Sequence, residues 1–220
     1  MKKLIIFDLD GTLLNTIADL ATATNQALEQ FNFPTHSIET YRFMVGNGIN
    51  KLFERALPEI YRTEEYIVKI KELFVPYYDL HNTDLTKPYE GIEELLATLQ
   101  KHGMKLAVAS NKYQAATSKL INKYFRNINF CDVFGQRDEI PSKPSPAVIN
   151  TILRNAQLDK ENVIYIGDSN VDMITGQNAG VTTIGVSWGF RPRTELEQFS
   201  PDFIADKPSD ILEFIGIQEY

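Results

Sequence analysis

Apolar positions repeat at two different spacings along this chain, and the change between them divides it. The opening run Ile5-Ile6-Phe7 has no polar interruption and predicts a short strand buried on both faces, as in a parallel sheet. Helical spacing then takes over. Ile17, Leu20, Ala21, Leu28 and Phe31 share one face, with Thr16 and Asp19 spaced like a capping box. After a break at Asn32-Phe33-Pro34, Ile49, Leu52, Phe53, Ala56 and Leu57 mark a second helix, and Ile67, Ile70, Leu73, Phe74 and Tyr77 a third. Residues from Thr16 to Thr86 are therefore expected to be helical throughout.

From Pro88 onward, short apolar runs alternate with helical patterns. Strands are predicted over 105–109, 132–134, 163–166, 182–186 and 203–205, and helices over 91–101, 113–124, 146–155, 172–179 and 209–215. Such alternation argues for a parallel sheet wrapped by helices. The expected architecture is α/β: a Rossmann-like parallel sheet core with helices on both faces, formed by 1–15 and 87–220. Residues 16–86 are expected to form an inserted helical domain between its first two strands. No internal repeat interrupts this pattern.

Composition narrows the possible partners. The 220 residues, 43% of them hydrophobic, suffice for one good core or two small ones. With 22 basic against 29 acidic residues the formal charge is −7, and no Lys/Arg cluster is present, so neither nucleic acid nor a membrane surface is an expected partner. An anionic substrate then needs local positive charge, from a metal or a well-placed lysine. Cys131, the single cysteine, has no metal-ligand spacing around it and is expected to be a buried, inert thiol. The apolar run after Lys2-Lys3 stops at Phe7, short of the ~7–15 residues of a secretory signal. No stretch approaches the roughly 18–20 apolar residues of a membrane span. A cytoplasmic chain is expected, as monomer or homodimer. His36, His81 and His102 are scattered and read as surface or loop residues.

Four segments carry candidate chemistry. The first strand runs into Asp8-Leu9-Asp10-Gly11-Thr12, with two carboxylates two positions apart where side-chain alternation points them to one side. Paired carboxylates resist ionising together unless a cation or a shared proton relieves them, an arrangement that suits a nucleophile beside a general acid/base with a metal between. A plain Asp-Gly turn is the alternative. The second core strand ends in Ser110-Asn111-Lys112, offering a hydroxyl and N–H groups to phosphate oxygens, or else an N-cap for the next helix. Lys143 precedes a proline-marked helix start in Ser142-Lys143-Pro144-Ser145-Pro146, where an anion is welcome; the alternative is a solvated loop lysine. Finally, a buried strand ends in Gly167-Asp168, with Asp172 one helical turn later. Asp168 is expected at the same sheet end as Asp8, where hard oxygen ligands suit Mg²⁺. Asp172 is placed to orient Lys143 or a ligand, or simply to complement the helix dipole.

In this order the four segments resemble the haloacid dehalogenase superfamily over essentially the whole chain. The resemblance implies a Mg²⁺-dependent phosphatase acting on a small phosphorylated metabolite, with the 16–86 insert as a helical cap. It implies Asp8 as nucleophile, Asp10 as acid/base, and a metal held by Asp8, Asp168 and the backbone carbonyl of Asp10. Ser110 and Lys143 would bind the phosphoryl group with Gly11, Asn111 and N–H groups near Leu9 and Gly11, and Asp172 would support them. The acid at Asp10 favours a phosphoester or phosphoanhydride over a haloacid. In the cap, Ala18-Asp19-Leu20 and Val45-Gly46-Asn47-Gly48-Ile49 resemble phosphoglycolate phosphatases and their relatives, including a pyrophosphatase branch. Arg42 and Gly46 are therefore candidate substrate contacts, and 2-phosphoglycolate a candidate substrate. Asn15 departs from the acid that relatives often carry there. The Trp188-Gly189-Phe190-Arg191 loop reads as packed surface, although similar loops lie near the site in relatives. A sugar phosphomutase, a pyrophosphatase and a non-catalytic binding module stay open as alternatives.

Overall fold

A computed structural model describes residues 2–217. Strands β1 (Leu4–Phe7) and β2 (Leu14–Asn15) precede helices α1 (Ile17–Glu29), α2 (Ile38–Met44), α3 (Ile49–Ala56) and α4 (Glu64–His81). After β3 (Lys87–Pro88) come α5 (Ile92–Lys101), β4 (Lys105–Tyr113), α6 (Gln114–Tyr124), β5 (Phe130–Gln136) and α7 (Ala147–Ala156). The chain finishes with β6 (Val163–Gly167), α8 (Asn170–Ala179), β7 (Thr182–Val186), α9 (Arg193–Glu197), β8 (Phe203–Ala205) and α10 (Pro208–Ile215).

The main sheet has six strands in the order β5-β4-β1-β6-β7-β8, each paired parallel to its neighbour. Side-chain alternation splits each strand between two cores. Ile5, Phe7, Leu106, Val108, Ile164 and Ile166 pack with α5, α6 and α10, whereas Leu4, Ile6, Ala107, Ala109, Val163 and Tyr165 pack with α7 and Ala179 of α8. Burial on both faces explains why β1 has no polar residue. From β1 the chain builds outward through β4 and β5, then crosses to β6 on the other side of β1. This reversal opens a crevice at the carboxyl end of β1, where open α/β sheets bind ligands.

Helices α1 to α4 pack around a third core that includes Leu20, Leu28, Tyr41, Phe53, Phe74 and Tyr78, which Ala116 and Phe190 of the sheet region join. The insert leaves and rejoins the sheet region through β2 and β3, which pair antiparallel with Leu14 opposite Pro88 and Asn15 opposite Lys87. Just beyond, Asp19 accepts from Leu85 N at 3.0 Å, Thr86 N at 2.9 Å and Thr86 Oγ1 at 2.7 Å. The capping-box expectation for Thr16 and Asp19 is thereby corrected. Thr16 is the N-cap but makes no side-chain capping bond, because its hydroxyl donates to Asp10 and Asp19 is drawn to the far end of the insert.

Other departures have local causes. Helices α2 and α9 were not foreseen, being too short to show a period; β4 runs on to Tyr113 through a register slip against β5. Cys131 is exposed rather than buried, because β5 is an edge strand of the sheet. His36 and His81 are half-buried and His102 exposed, as expected. Among the described residues no helix is long and apolar enough to cross a membrane.

Candidate active site

Parallel register sets the site. Phe7 lies opposite Val108 on one side and Ile166 on the other, so the residues that follow these strands leave the sheet together. Asp8, Asp168 and Asp172, all buried, bring ligand oxygens within 4.8 Å of one another. The sequence expectation that Asp8 and Asp168 meet at one sheet end therefore matches the geometry, and Asp172 joins them.

Asp168 is seated by glycines. Cβ atoms at Gly11 and Gly189 would each come within 2.2 Å of its side chain, and Gly11 holds φ at +84°, a region that disfavours other residues. Phe190 N donates to Asp168 Oδ2 at 2.7 Å. Gly167 does the same for Asp172, whose Cβ and Cγ would lie 2.3 Å from a side chain there. Gly11 thus contributes missing bulk rather than a donor: its N–H donates to Leu14 O at 2.9 Å, and Leu9 N donates to Asp8 Oδ1 at 2.7 Å. The expected phosphate-binding N–H groups near Leu9 and Gly11 are already engaged within the loop.

Lys143 is buried at 4% exposure, which removes the solvated-loop reading. Its ammonium lies 2.8 Å from Asp172 Oδ1, 3.0 Å from Asp8 Oδ1 and 2.9 Å from Tyr165 OH. Asp172 also accepts from Ser169 Oγ and Tyr165 OH at 2.7 Å each. Burial works against Asp172 ionising, but the Lys143 charge and these hydrogen bonds outweigh it and hold its pKa below the usual value. Burial alone would lower Lys143; Asp172 and Asp8 reverse that and raise it. Asp8 is pushed up to about 7, by burial first, with Asp172 and Asp10 adding to it against the pull of Lys143. Burial, followed by Asp172 and Asp8, raises Asp168 strongly. Three carboxylates facing one ammonium leave negative charge unbalanced, and this oxygen-only, buried set fits a hard divalent cation.

Asp10 stands apart from that cluster. Its Oδ1 accepts from Thr16 Oγ1 at 2.7 Å and pairs with Lys112 Nζ at 3.0 Å. Ser110 and Asn111 are buried and do not cap α6, whose N-cap is Tyr113 without a side-chain bond. Asn111 instead bridges elements: Nδ2 donates to Gly46 O at 3.0 Å and Lys143 O at 3.1 Å, while Oδ1 accepts from Lys143 N at 2.9 Å. A cavity between the sheet edge and the insert is lined by Asp8, Asp10, Ser110 and Lys112 below, and by Leu20, Val45, Gly46, Ile49 and Leu52 above.

Arg42 does not line this cavity. It donates to Gly189 O at 2.8 Å and pairs with Glu39. The Trp188 loop is no surface loop, since Gly189 and Phe190 embrace Asp168, and Trp188 Nε1 donates to Thr12 O at 3.1 Å. The sequence reading missed Lys112 and Arg191. Neither was given a role of its own, and only the fold buries them.

Comparison with known proteins agrees with this architecture. A sequence profile described as haloacid dehalogenase-like hydrolase matches residues 5–186. A phosphoglycolate phosphatase of Vibrio parahaemolyticus is 32% identical over 220 residues, covering 98% of this chain and 96% of that protein. One from Aquifex aeolicus is 31% identical over 218 residues, covering 97% and 96%. The crystal structure of a predicted phosphoglycolate phosphatase from Haemophilus somnus superposes with a TM-score of 0.91 at 30% identity, covering 97% of this chain and 98% of that one.

Proposed function

The chain belongs to the haloacid dehalogenase-like hydrolases, and we propose that it is a Mg²⁺-dependent phosphatase that cleaves a small phosphoester, 2-phosphoglycolate foremost, through a phosphorylated Asp8. The observation that carries the reading is the convergence of Asp8, Asp168 and Asp172 beside Lys143, with Asp10 in the same cavity. Mg²⁺ would be held by Asp8, Asp168 and the backbone carbonyl of Asp10, and would supply charge to the phosphoryl oxygens.

The chain's own residues account for the remainder. Lys143 and the Leu9 N–H fix the rotation of the Asp8 carboxylate through Oδ1. Asp8 bonds to phosphorus as the bond to the leaving oxygen breaks, and that oxygen takes the proton of Asp10. A water then returns a proton to Asp10 while its oxygen bonds phosphorus, releasing phosphate and restoring the Asp8 carboxylate. Lys143 and the Ser110 hydroxyl balance charge on the transferring group.

Segment 16–86 acts as the cap that selects the leaving group. Its contribution to the cavity is aliphatic side chains and glycine backbone, which suits a small group. Helix α3 starts at Ile49 in the cavity wall, where free N–H groups favour an anion such as a glycolate carboxylate.

A phosphate-release screen over 2-phosphoglycolate, sugar phosphates, nucleotides and pyrophosphate, with Mg²⁺ and with chelator, tests the reading. Release from a small monoester that needs Mg²⁺ and vanishes in Asp8→Asn is expected. No release from any of them, or activity untouched by Asp8→Asn, overturns it; isomer formation without free phosphate would make the protein a mutase.

A further inference from the structure

Lys112 has no part in the chemistry assigned above, yet it is buried against it. Its side chain is 2% exposed, and Nζ lies 3.0 Å from Asp10 Oδ1 and 3.2 Å from Oδ2. A lysine normally keeps its ammonium in water, and burying one is costly unless it is paired. Here the pairing is built from several elements. Lys112 O accepts from Thr117 Oγ1 at 3.2 Å, and that carbonyl would lie 2.6 Å from a Cβ at Gly135, so the strand fits closely against β5. The ammonium sits 4.7 Å from the ring centroid of Tyr78, a buried residue of α4 whose hydroxyl has no hydrogen-bond partner among the described residues. Thr16, at the start of the insert, holds Asp10 Oδ1 from another direction at 2.7 Å.

We propose that Lys112 is the positioning residue for Asp10: it fixes the carboxylate toward the leaving oxygen, and the Tyr78 ring of the insert fixes Lys112. The proposal rests on the assignment of Asp10 as acid/base. Two carboxylate oxygens bonded to one ammonium cannot swing freely about χ2, so the proton of Asp10 is delivered from a set direction. Because the Tyr78 ring of α4 flanks the ammonium, the seating of the insert and the placement of the acid/base are linked through Lys112.

The test compares leaving groups. An alkyl phosphate, the one turned over fastest in the screen, needs protonation of its departing oxygen; p-nitrophenyl phosphate does not. Lys112→Met is expected to lower kcat/KM on the alkyl ester, which reports the steps through departure of the leaving group and not the later hydrolysis, about 10²-fold, the lower end of what a positioned acid/base contributes, with much less effect on p-nitrophenyl phosphate. The competitive inhibition constant of inorganic phosphate is expected to change by less than about threefold, because binding of the phosphoryl group is untouched. Lys112→Arg, which restores a cation beside Asp10, is expected to regain most of the loss. Lys112→Gln is measured alongside, with the same selective loss expected, so that the outcome does not depend on one variant folding.

An equal loss of kcat/KM on both substrates would make Lys112 merely structural, and weaker competitive inhibition by inorganic phosphate would make it a substrate contact. Either result, or no change, overturns the proposal. Asp10→Asn separates this from the underlying reading. If it shows no selective loss of kcat/KM on the alkyl ester, the acid/base assignment fails. If it does and Lys112→Met does not, only the role of Lys112 fails.

Discussion

Arg42 and Arg191 exchange hydrogen bonds across the cleft in opposite directions. Arg42, on α2 of the insert, donates to Gly189 O at 2.8 Å; Arg191, in the loop after β7, donates to Phe43 O at 3.1 Å and Val45 O at 3.0 Å. The loop they clamp is the one that seats Asp168, so closure of the insert and geometry of the carboxylate cluster share a part.

Removing one arm should loosen the insert. In Arg191→Ala the Phe43 and Val45 carbonyls lose a buried cationic donor, and stability is expected to fall by about 2–4 kcal/mol. Denaturant unfolding reads the loss, and limited proteolysis should cut faster within 16–86. Unchanged unfolding and unchanged cleavage would show that the clamp contributes nothing.

Gly189→Ala addresses the carboxylate directly. Its Cβ would lie 2.2 Å from Asp168 Cβ and 2.5 Å from Gly11 O, and backbone cannot yield as a flexible side chain can. Asp168 must shift, and Mg²⁺ affinity is expected to fall about 10–100-fold, as for other losses of support around a metal ligand. Trp188, the single tryptophan, adjoins the substituted residue and gives a fluorescence titration. Native affinity in the variant would refute the cradle.

The carboxylate cluster sets a pH dependence with a definite sign. Asp8 rises from 3.8 to about 7 in the folded protein and Asp168 moves the same way. The folded state therefore holds protons the unfolded chain has released, and their contribution to stability is present below about pH 4 and lost as pH climbs toward 7. Asp172, held low, acts oppositely and in acid. Without Mg²⁺, Asp8→Asn is expected to stabilise by on the order of a few kcal/mol at pH 8 and by less at pH 5. Thermal unfolding at the two pH values checks it, and added Mg²⁺ should stabilise the native protein more at pH 8.

Lys143→Met leaves Asp172 and Asp8 buried without their counter-charge. A loss of roughly 3–5 kcal/mol is expected, together with loss of phosphatase activity. Because the destabilisation comes from uncompensated carboxylates, Lys143→Met combined with Asp172→Asn should recover part of it. If the double variant is no more stable than the single one, the ion pair is not the source.

Much of this was legible in the sequence for a physical reason. Strands buried on both faces announce themselves as unbroken apolar runs, and carboxylates, Ser110 and Lys143 placed at their ends must meet if the strands are parallel neighbours. What was not legible depends on contacts between distant segments. Thr16 and Asp19 satisfy a local capping pattern that Asp10 and Thr86 override. Nothing near Lys112 in sequence announces its burial beside Tyr78 of α4, and Arg42 reads as a substrate contact until Gly189 claims it. Local spacing carries no information about which distant partner a polar side chain will find.

The ribbon of Leu14–Asn15 against Lys87–Pro88 has a consequence for ancestry. Because both ends of the excursion start from one place, its helices can lengthen or shorten without moving the sheet, but any replacement of α4 must still offer a partner to the Lys112 ammonium.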